Sequence, residues 1–145
     1  MKHNNNKNQQ GGLAEVLMNL IEKGIDQVVG IFLPKAGFNV FKPGELSTRW
    51  NQIESTGGNL AVIEADKLVD AVLKKANIAG NSMADRLRKT ESMVDRGVYQ
   101  GMWDAHKLRN SLVHEVGRVG NFSEVNLALI KIKKYLIELG AFKNE

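Results

Sequence analysis

Apolar residues recur at helical spacing along most of this chain. Leu13, Val16, Leu17, Leu20 and Ile21 lie three or four residues apart, and Ile25, Val28 and Val29 carry the stripe past Gly24; this periodicity predicts an amphipathic helix. Glu15, Glu22, Lys23 and Asp26 interrupt it, whereas a bilayer span needs roughly 20 residues with few charges. Leu13 to Leu33 therefore reads as a helix packed on its own domain, ahead of a membrane-surface or dimerisation helix. "PKAGFNVFKPG", punctuated by Pro34, Gly37, Pro43 and Gly44, then breaks the pattern and marks a boundary. The helical period returns with Trp50 and Ile53 and is interrupted at Gly57-Gly58. It resumes through Leu60, Ile63, Leu68 or Val69, Val72 and Leu73, as far as Asn77 and Gly80.

Ser82 reads as an N-cap with Asp85 as its capping-box partner, and Met83, Leu87 and Met93 as the core positions of a short helix. The next helix is expected from about Val98 to Val116, with Gly117 as C-cap. Its Leu108, Leu112 and Val116 form an apolar stripe. Ser123 is expected to cap a last helix carrying Leu127, Ile130, Lys134 or Tyr135, Leu136 and Ile137 until Gly140. No run alternates at period two for long enough to argue a strand. The pattern predicts an all-α, up-and-down bundle of four to five helices. Three segments follow: a disordered polar tail over 1–11, the N-terminal helix and Pro/Gly turn over 12–43, and the helical domain over 44–145.

Composition narrows the function classes. The 145 residues suit one domain and include no cysteine, which excludes disulfides, thiolate metal sites and a cysteine nucleophile. The net charge of +4 is compatible with nucleic acid, but it is not the dense basic stripe of a dedicated DNA binder. "MKHNNNKNQQGG" lacks the apolar region of a secretory signal, so a cytoplasmic protein is expected.

Chemistry concentrates in "AHKLRNSLVHE", Ala105 to Glu115, which holds two of the three histidines. Side chains on a helix turn by about 100° per residue. Asn110 and His114, four apart, share a face that Lys107 joins one turn earlier. Arg109 stands about 140° from His114 and reaches it only through its long side chain or a bend in the helix. An imidazole can give or take a proton near neutrality, and a guanidinium fork matches phosphate oxygens. No second histidine sits at metal-ligand spacing from His114, so no metal or other cofactor is expected.

Arg109, Asn110 and His114 resemble the R-x4-H motif of the HEPN superfamily (higher eukaryotes and prokaryotes nucleotide-binding domains). "AVIEADKLVDAVLKKANIAGNSMADRLR", "WDAHKLRNSLVHE" and "YLIELGAF" extend the resemblance over Glu45 to Phe142, toward a group of small bacterial proteins of that type. The resemblance implies a homodimeric all-α bundle whose two motifs meet in one RNA-sized cleft. It also implies a metal-independent endoribonuclease linked to toxin–antitoxin or defence systems, with an antitoxin or regulatory protein as a further partner. In that role the RNA 2′-hydroxyl attacks the adjacent phosphorus, His114 handles protons, Arg109 stabilises the phosphate and Asn110 positions one or the other.

Other polar residues carry two readings each. Glu64 either orients Arg109 or His114 or lies on a solvated edge, while Asp66 and Lys67 read as solvated edge residues with local ion pairs. Arg86, Arg88 and Lys89 form a basic cluster flanked by Asp85 and Glu91, a solvated face first and an RNA track second. His106, Lys107, Arg86 and Arg88 are the candidate RNA contacts, and Trp103 reads as core or dimer interface. Three functions stay open: the ribonuclease, a non-catalytic RNA-, nucleotide- or protein-binding module of the same type, and a structural bundle docked at a membrane through Leu13 to Leu33. The first predicts cleavage lost in His114→Ala, the second salt-sensitive binding without turnover, and the third indifference to both Arg109 and His114.

Overall fold

The computed structural model describes residues 37–142, and every regular element among them is helical. The expected polar tail and the helix expected over Leu13 to Leu33 lie outside the described residues. The five α-helices are α1 (Glu45–Thr56), α2 (Gly58–Lys75), α3 (Met83–Arg88), α4 (Arg96–His114) and α5 (Phe122–Glu138), with one 3-10 turn at Glu91–Met93. None of them is long and apolar enough to cross a membrane.

Each break has a local cause. Gly57, at φ 67° and ψ 175°, separates α1 from α2 in a conformation that side chains with a Cβ rarely adopt. α2 ends where Asn77 takes φ 60°, and the N–H groups of Asn77 and Ile78 donate to the carbonyls of Lys74 and Leu73. That pairing is a Schellman closure with asparagine in the left-handed place usually given to glycine. Ser82 and Asp85 make the expected reciprocal capping box on α3.

α2 is the central element, packed against α1, α3, α4 and α5, and α4 packs on α5. Its buried residues are Ala61, Val62, Ala65, Asp66, Leu68, Val69, Val72 and Leu73, a stripe wide enough to meet several neighbours at once. Trp50 from α1, Met102 from α4, and Ile132 and Leu136 from α5 complete the core around it, together with Phe38 and Phe41 from the segment before α1.

Several sequence expectations move. α4 stops at His114 with an extended Glu115 as C-cap. Gly117, at φ 74°, lies in the following turn, and Val116 is fully exposed rather than part of the apolar stripe. The N-cap of α5 is Asn121, not Ser123; its side chain and that of Glu124 form the capping box. Leu60, Leu127, Ile130, Ile137 and Met93 are exposed. The inner face of α5 is instead Val125, Ala128, Leu129, Ile132, Tyr135 and Leu136.

A polar pair ties the α3 end to α5. The buried Thr90 hydroxyl donates to the Leu87 carbonyl at 2.7 Å and lies 2.6 Å from the Tyr135 hydroxyl. A hydroxyl has one hydrogen, so Tyr135 is the donor between them. Burial pushes the Tyr135 hydroxyl far above its ordinary range, which keeps it protonated. Thr90→Val removes its acceptor and is expected to cost about 1–3 kcal/mol in urea unfolding. Adding Tyr135→Phe should recover part of that loss, because the stranded hydroxyl is gone. A double variant less stable than the single one would contradict this account.

Candidate functional site

The polar face of α4 meets α2 around one carboxylate. Asp66 lies on the buried stripe of α2 and is 3% exposed. Its Oδ1 is 2.9 Å from His106 Nδ1, and its Oδ2 is 3.5 Å from Arg109 Nε. A carboxylate only accepts, so the hydrogen sits on His106 Nδ1 and the tautomer follows. His106 and Arg109 are three residues apart on α4, hence neighbours on one face, and both turn toward α2.

Two further groups fix this arrangement. Arg109 Nη1 donates to Asn110 Oδ1 at 3.0 Å. The Trp103 ring meets the His106 ring edge-on, with centroids 5.8 Å apart, and Tyr99 packs edge-on against Trp103 in turn. Such edge-to-face contacts hold ring orientation as well as burying area. Arg109 Nε makes no hydrogen bond, and among the described residues it is the one buried side-chain polar atom in that position.

The cluster opens into a groove of about 330 Å³ lined by Asp66, Lys67, Asp70, Ala71, Lys74, Met83, His106 and Arg109. Arg109 keeps a quarter of its side chain exposed. Lys67 and Lys74 each keep more than half. The groove thus presents the Arg109 guanidinium and two half-exposed ammonium groups, Lys67 paired with Glu64 at 2.8 Å and Lys74 with Asp70 at 2.7 Å, a cationic set suited to a phosphate. Asp70 stands at the same wall, one turn beyond Asp66. Burial alone would raise its carboxyl, but hydrogen bonds from Lys74 and Arg86 and their charges outweigh this and hold it below its ordinary value.

His114 sits elsewhere. It is the last residue of α4, exposed, and its side chain makes no hydrogen bond or ion pair to another described residue. The loop that follows it is held by Asn59 at the start of α2, which donates to the Arg118 carbonyl at 3.0 Å and accepts from the Gly120 N–H at 2.8 Å. A Cβ on Gly120 would come within 3.1 Å of Val125 Cγ2, so a glycine lets the loop pass close to α5. His114 itself is placed by the end of α4, on a different side of that helix from Arg109.

Several candidate contacts change character. His106 is 8% exposed and engaged with Asp66, so it forms part of the groove wall rather than a surface RNA contact. Arg86 is also buried. Its guanidinium is taken by Asp70, at 2.7 and 2.8 Å, and by the Gly80 carbonyl, which leaves it no reach to solvent. Arg88 pairs with Asp85 at 2.9 Å and lies over the Trp103 ring. Lys107 is exposed on the outer face of α4. Glu64 pairs with Lys67 at 2.8 Å on the edge of α2 and does not reach Arg109. The orienting carboxylate is Asp66, two residues on. The available signal was its register: Asp66 stands four residues after Val62 and three before Val69, on the stripe that must be buried.

No group of three His, Asp or Glu side chains among the described residues is placed to hold a metal ion. Comparisons with family models, curated proteins and solved structures return no match to this chain.

Proposed function

We infer that this protein binds RNA and cleaves it at a site shared by two copies of the chain, in the manner of the HEPN-type ribonucleases that its motif resembles. The observation that carries the reading is the state of Arg109. This permanently charged side chain is anchored from below by Asp66 and from the side by Asn110, and it faces a groove that also holds Lys67 and Lys74. A pre-aimed guanidinium stabilises charge developing on a phosphate without reorganising at the moment of reaction.

The chemistry follows from the groups present. The RNA 2′-oxygen bonds to the adjacent phosphorus while the bond from phosphorus to the 5′-oxygen breaks. An imidazole takes the 2′-hydroxyl proton, and the departing 5′-oxygen receives a proton from imidazolium or water. The products are a 2′,3′-cyclic phosphate and a free 5′-hydroxyl, and no step requires a metal ion. Arg109 and His114 diverge on α4, about 140° apart around an ideal helix. One chain therefore supplies the phosphate clamp, and its partner copy supplies the histidine. A two-fold axis does this twice.

The same divergence favours a second reading if the copies do not bring the two residues together: a binding module that grips RNA phosphates through the groove without turnover. The test is incubation of the full chain with a mixed single-stranded and structured RNA in excess EDTA. Cyclic-phosphate ends, with a 2′-deoxy strand left intact, are the expected result. A folded dimer that leaves RNA uncut contradicts the cleavage reading, and salt-sensitive binding without cleavage would support the second.

A further inference from the structure

A buried carboxylate in the main stripe of α2 calls for a reason. Position 66 lies among Val62, Ala65 and Val69, all fully buried, where an apolar side chain would extend the core. Burying a charge is costly, and a buried ion pair is weak evidence for stability, since apolar replacements of similar volume often stabilise. Asp66 is nevertheless kept there, and each of its oxygens faces a different residue of α4: His106 Nδ1 at 2.9 Å and Arg109 Nε at 3.5 Å.

We propose that Asp66 is the positioning residue of the site, holding Arg109 toward a phosphate in the α2–α4 groove, and that His106 keeps the Asp66 carboxylate in register. The proposal rests on the reading of Arg109 as a phosphate ligand. Arginine carries five N–H donors in a rigid fork. Asp66 flanks the Nε edge and Asn110 takes one hydrogen of Nη1. Both hydrogens of Nη2 and the second on Nη1 are left for an incoming phosphate. His106 contributes no fork, but its Nδ1–H occupies Oδ1, so the carboxylate cannot rotate away from Arg109 without losing a buried hydrogen bond. Trp103, edge-on to the imidazole, limits the ring itself. The 3.5 Å separation at Nε is longer than a hydrogen bond. Contacts of this kind are often long without substrate and tighten in the complex. Phosphate binding is expected to draw Nε–H onto Oδ2.

The experiment uses the ¹⁵N-labelled full chain, with the Arg109 Nε–H resonance identified by its loss in Arg109→Lys. The probe is a 2′-deoxy-substituted oligoribonucleotide, which offers phosphates but no attacking hydroxyl. In the wild type the oligonucleotide should shift this resonance and slow its exchange about tenfold or more. In Asp66→Asn, which keeps the size and can still accept from His106, the slowing should vanish. Cleavage of ordinary RNA should fall about 10–100-fold, the usual scale for a misaimed group, with RNA affinity within about threefold and the melting temperature near that of the wild type. Should Asp66→Asn fail to fold, His106→Ala takes its place and should weaken the slowing by a smaller factor; unchanged exchange there overturns the proposal. A folded Asp66→Asn with unaltered Arg109 exchange and turnover also overturns it, while leaving the nuclease reading in place. A wild-type resonance indifferent to the oligonucleotide overturns it too. A wild type that cuts no RNA, yet shows Asp66-dependent slowing, sinks the nuclease reading and supports the positioning role.

Discussion

Arg109→Ala and His114→Ala should each lower RNA cleavage by about 10²–10³-fold, the range seen when one charge-stabilising donor or one general acid–base is removed. The two variants should differ in their side effects. His114 is exposed at the helix end and has no described partner, so its loss should move stability by no more than about 0.5 kcal/mol. Its effect on turnover then reports chemistry alone. Arg109→Ala strips one of two partners from the buried Asp66 carboxylate, so some destabilisation accompanies the loss of activity. Arg109→Lys separates the two effects. It keeps the charge near Asp66 but lacks the planar fork, and it should still lose most of the turnover. Initial rates on a labelled RNA, beside melting temperatures for all three variants, check this. A fully active Arg109→Lys would mean that bare charge suffices and that the aimed fork is irrelevant.

The largest stability effect is expected at Asp70, on the same wall of the groove. Arg86 is 7% exposed at its side chain, and Asp70 meets its guanidinium at 2.7 Å. Lys74 approaches the other oxygen at 2.7 Å. Asp70→Ala leaves a buried guanidinium with the Gly80 carbonyl as its remaining described partner. Breaking a buried pair from one side costs about 3 kcal/mol or more, a large share of the roughly 5–15 kcal/mol that holds a domain folded. The effect also has a pH signature. The folded carboxyl is held below its ordinary value of 3.8, so its contribution is complete at neutral pH. That contribution is lost as pH falls through 3.8 toward the lower folded value. Denaturant unfolding at several pH values should show the gap between wild type and Asp70→Ala wide at neutrality and narrowing in acid. A gap that widens in acid would reverse the sign of this account.

The helices were legible in the sequence because their punctuation is local. Gly57-Gly58, Asn77, Gly140 and the Ser82 box act through backbone conformation or bonds within a few residues, and each lies where the chain breaks. At α5 two apolar ridges run along one helix, and the period alone does not say which faces inward. Leu127, Ile130 and Ile137 form one, and Val125, Ala128, Ile132 and Leu136 the other; packing against α2 and α4 selects the second. The cap of α5 is also written locally: Asn121 with Glu124 three residues on is a full box, whereas Ser123 lies inside the helix.

The candidate site is legible by halves. Residue type and resemblance point to Arg109, Asn110 and His114, and the angle between Arg109 and His114 follows from helix geometry. The partnership of Asp66 with His106 spans 40 residues and no periodicity within α4 reveals it. Its trace was a carboxylate standing on the buried stripe of α2. Glu64, two residues earlier, is half-buried at the helix edge, with its side chain 41% exposed and paired with Lys67. A shift of two positions on a helix is enough to exchange the core for the helix edge.

The central claim is that Arg109 of one copy works with His114 of another. Mixing separately purified Arg109→Ala and His114→Ala chains, each expected to be nearly inactive alone, under conditions of subunit exchange tests it most directly. A mixed dimer then holds one intact pair, and random exchange should restore roughly a quarter of the wild-type sites. Recovered RNA cleavage near that level is the predicted result. Subunits that demonstrably exchange while cleavage stays at the level of the separate variants would contradict the shared site.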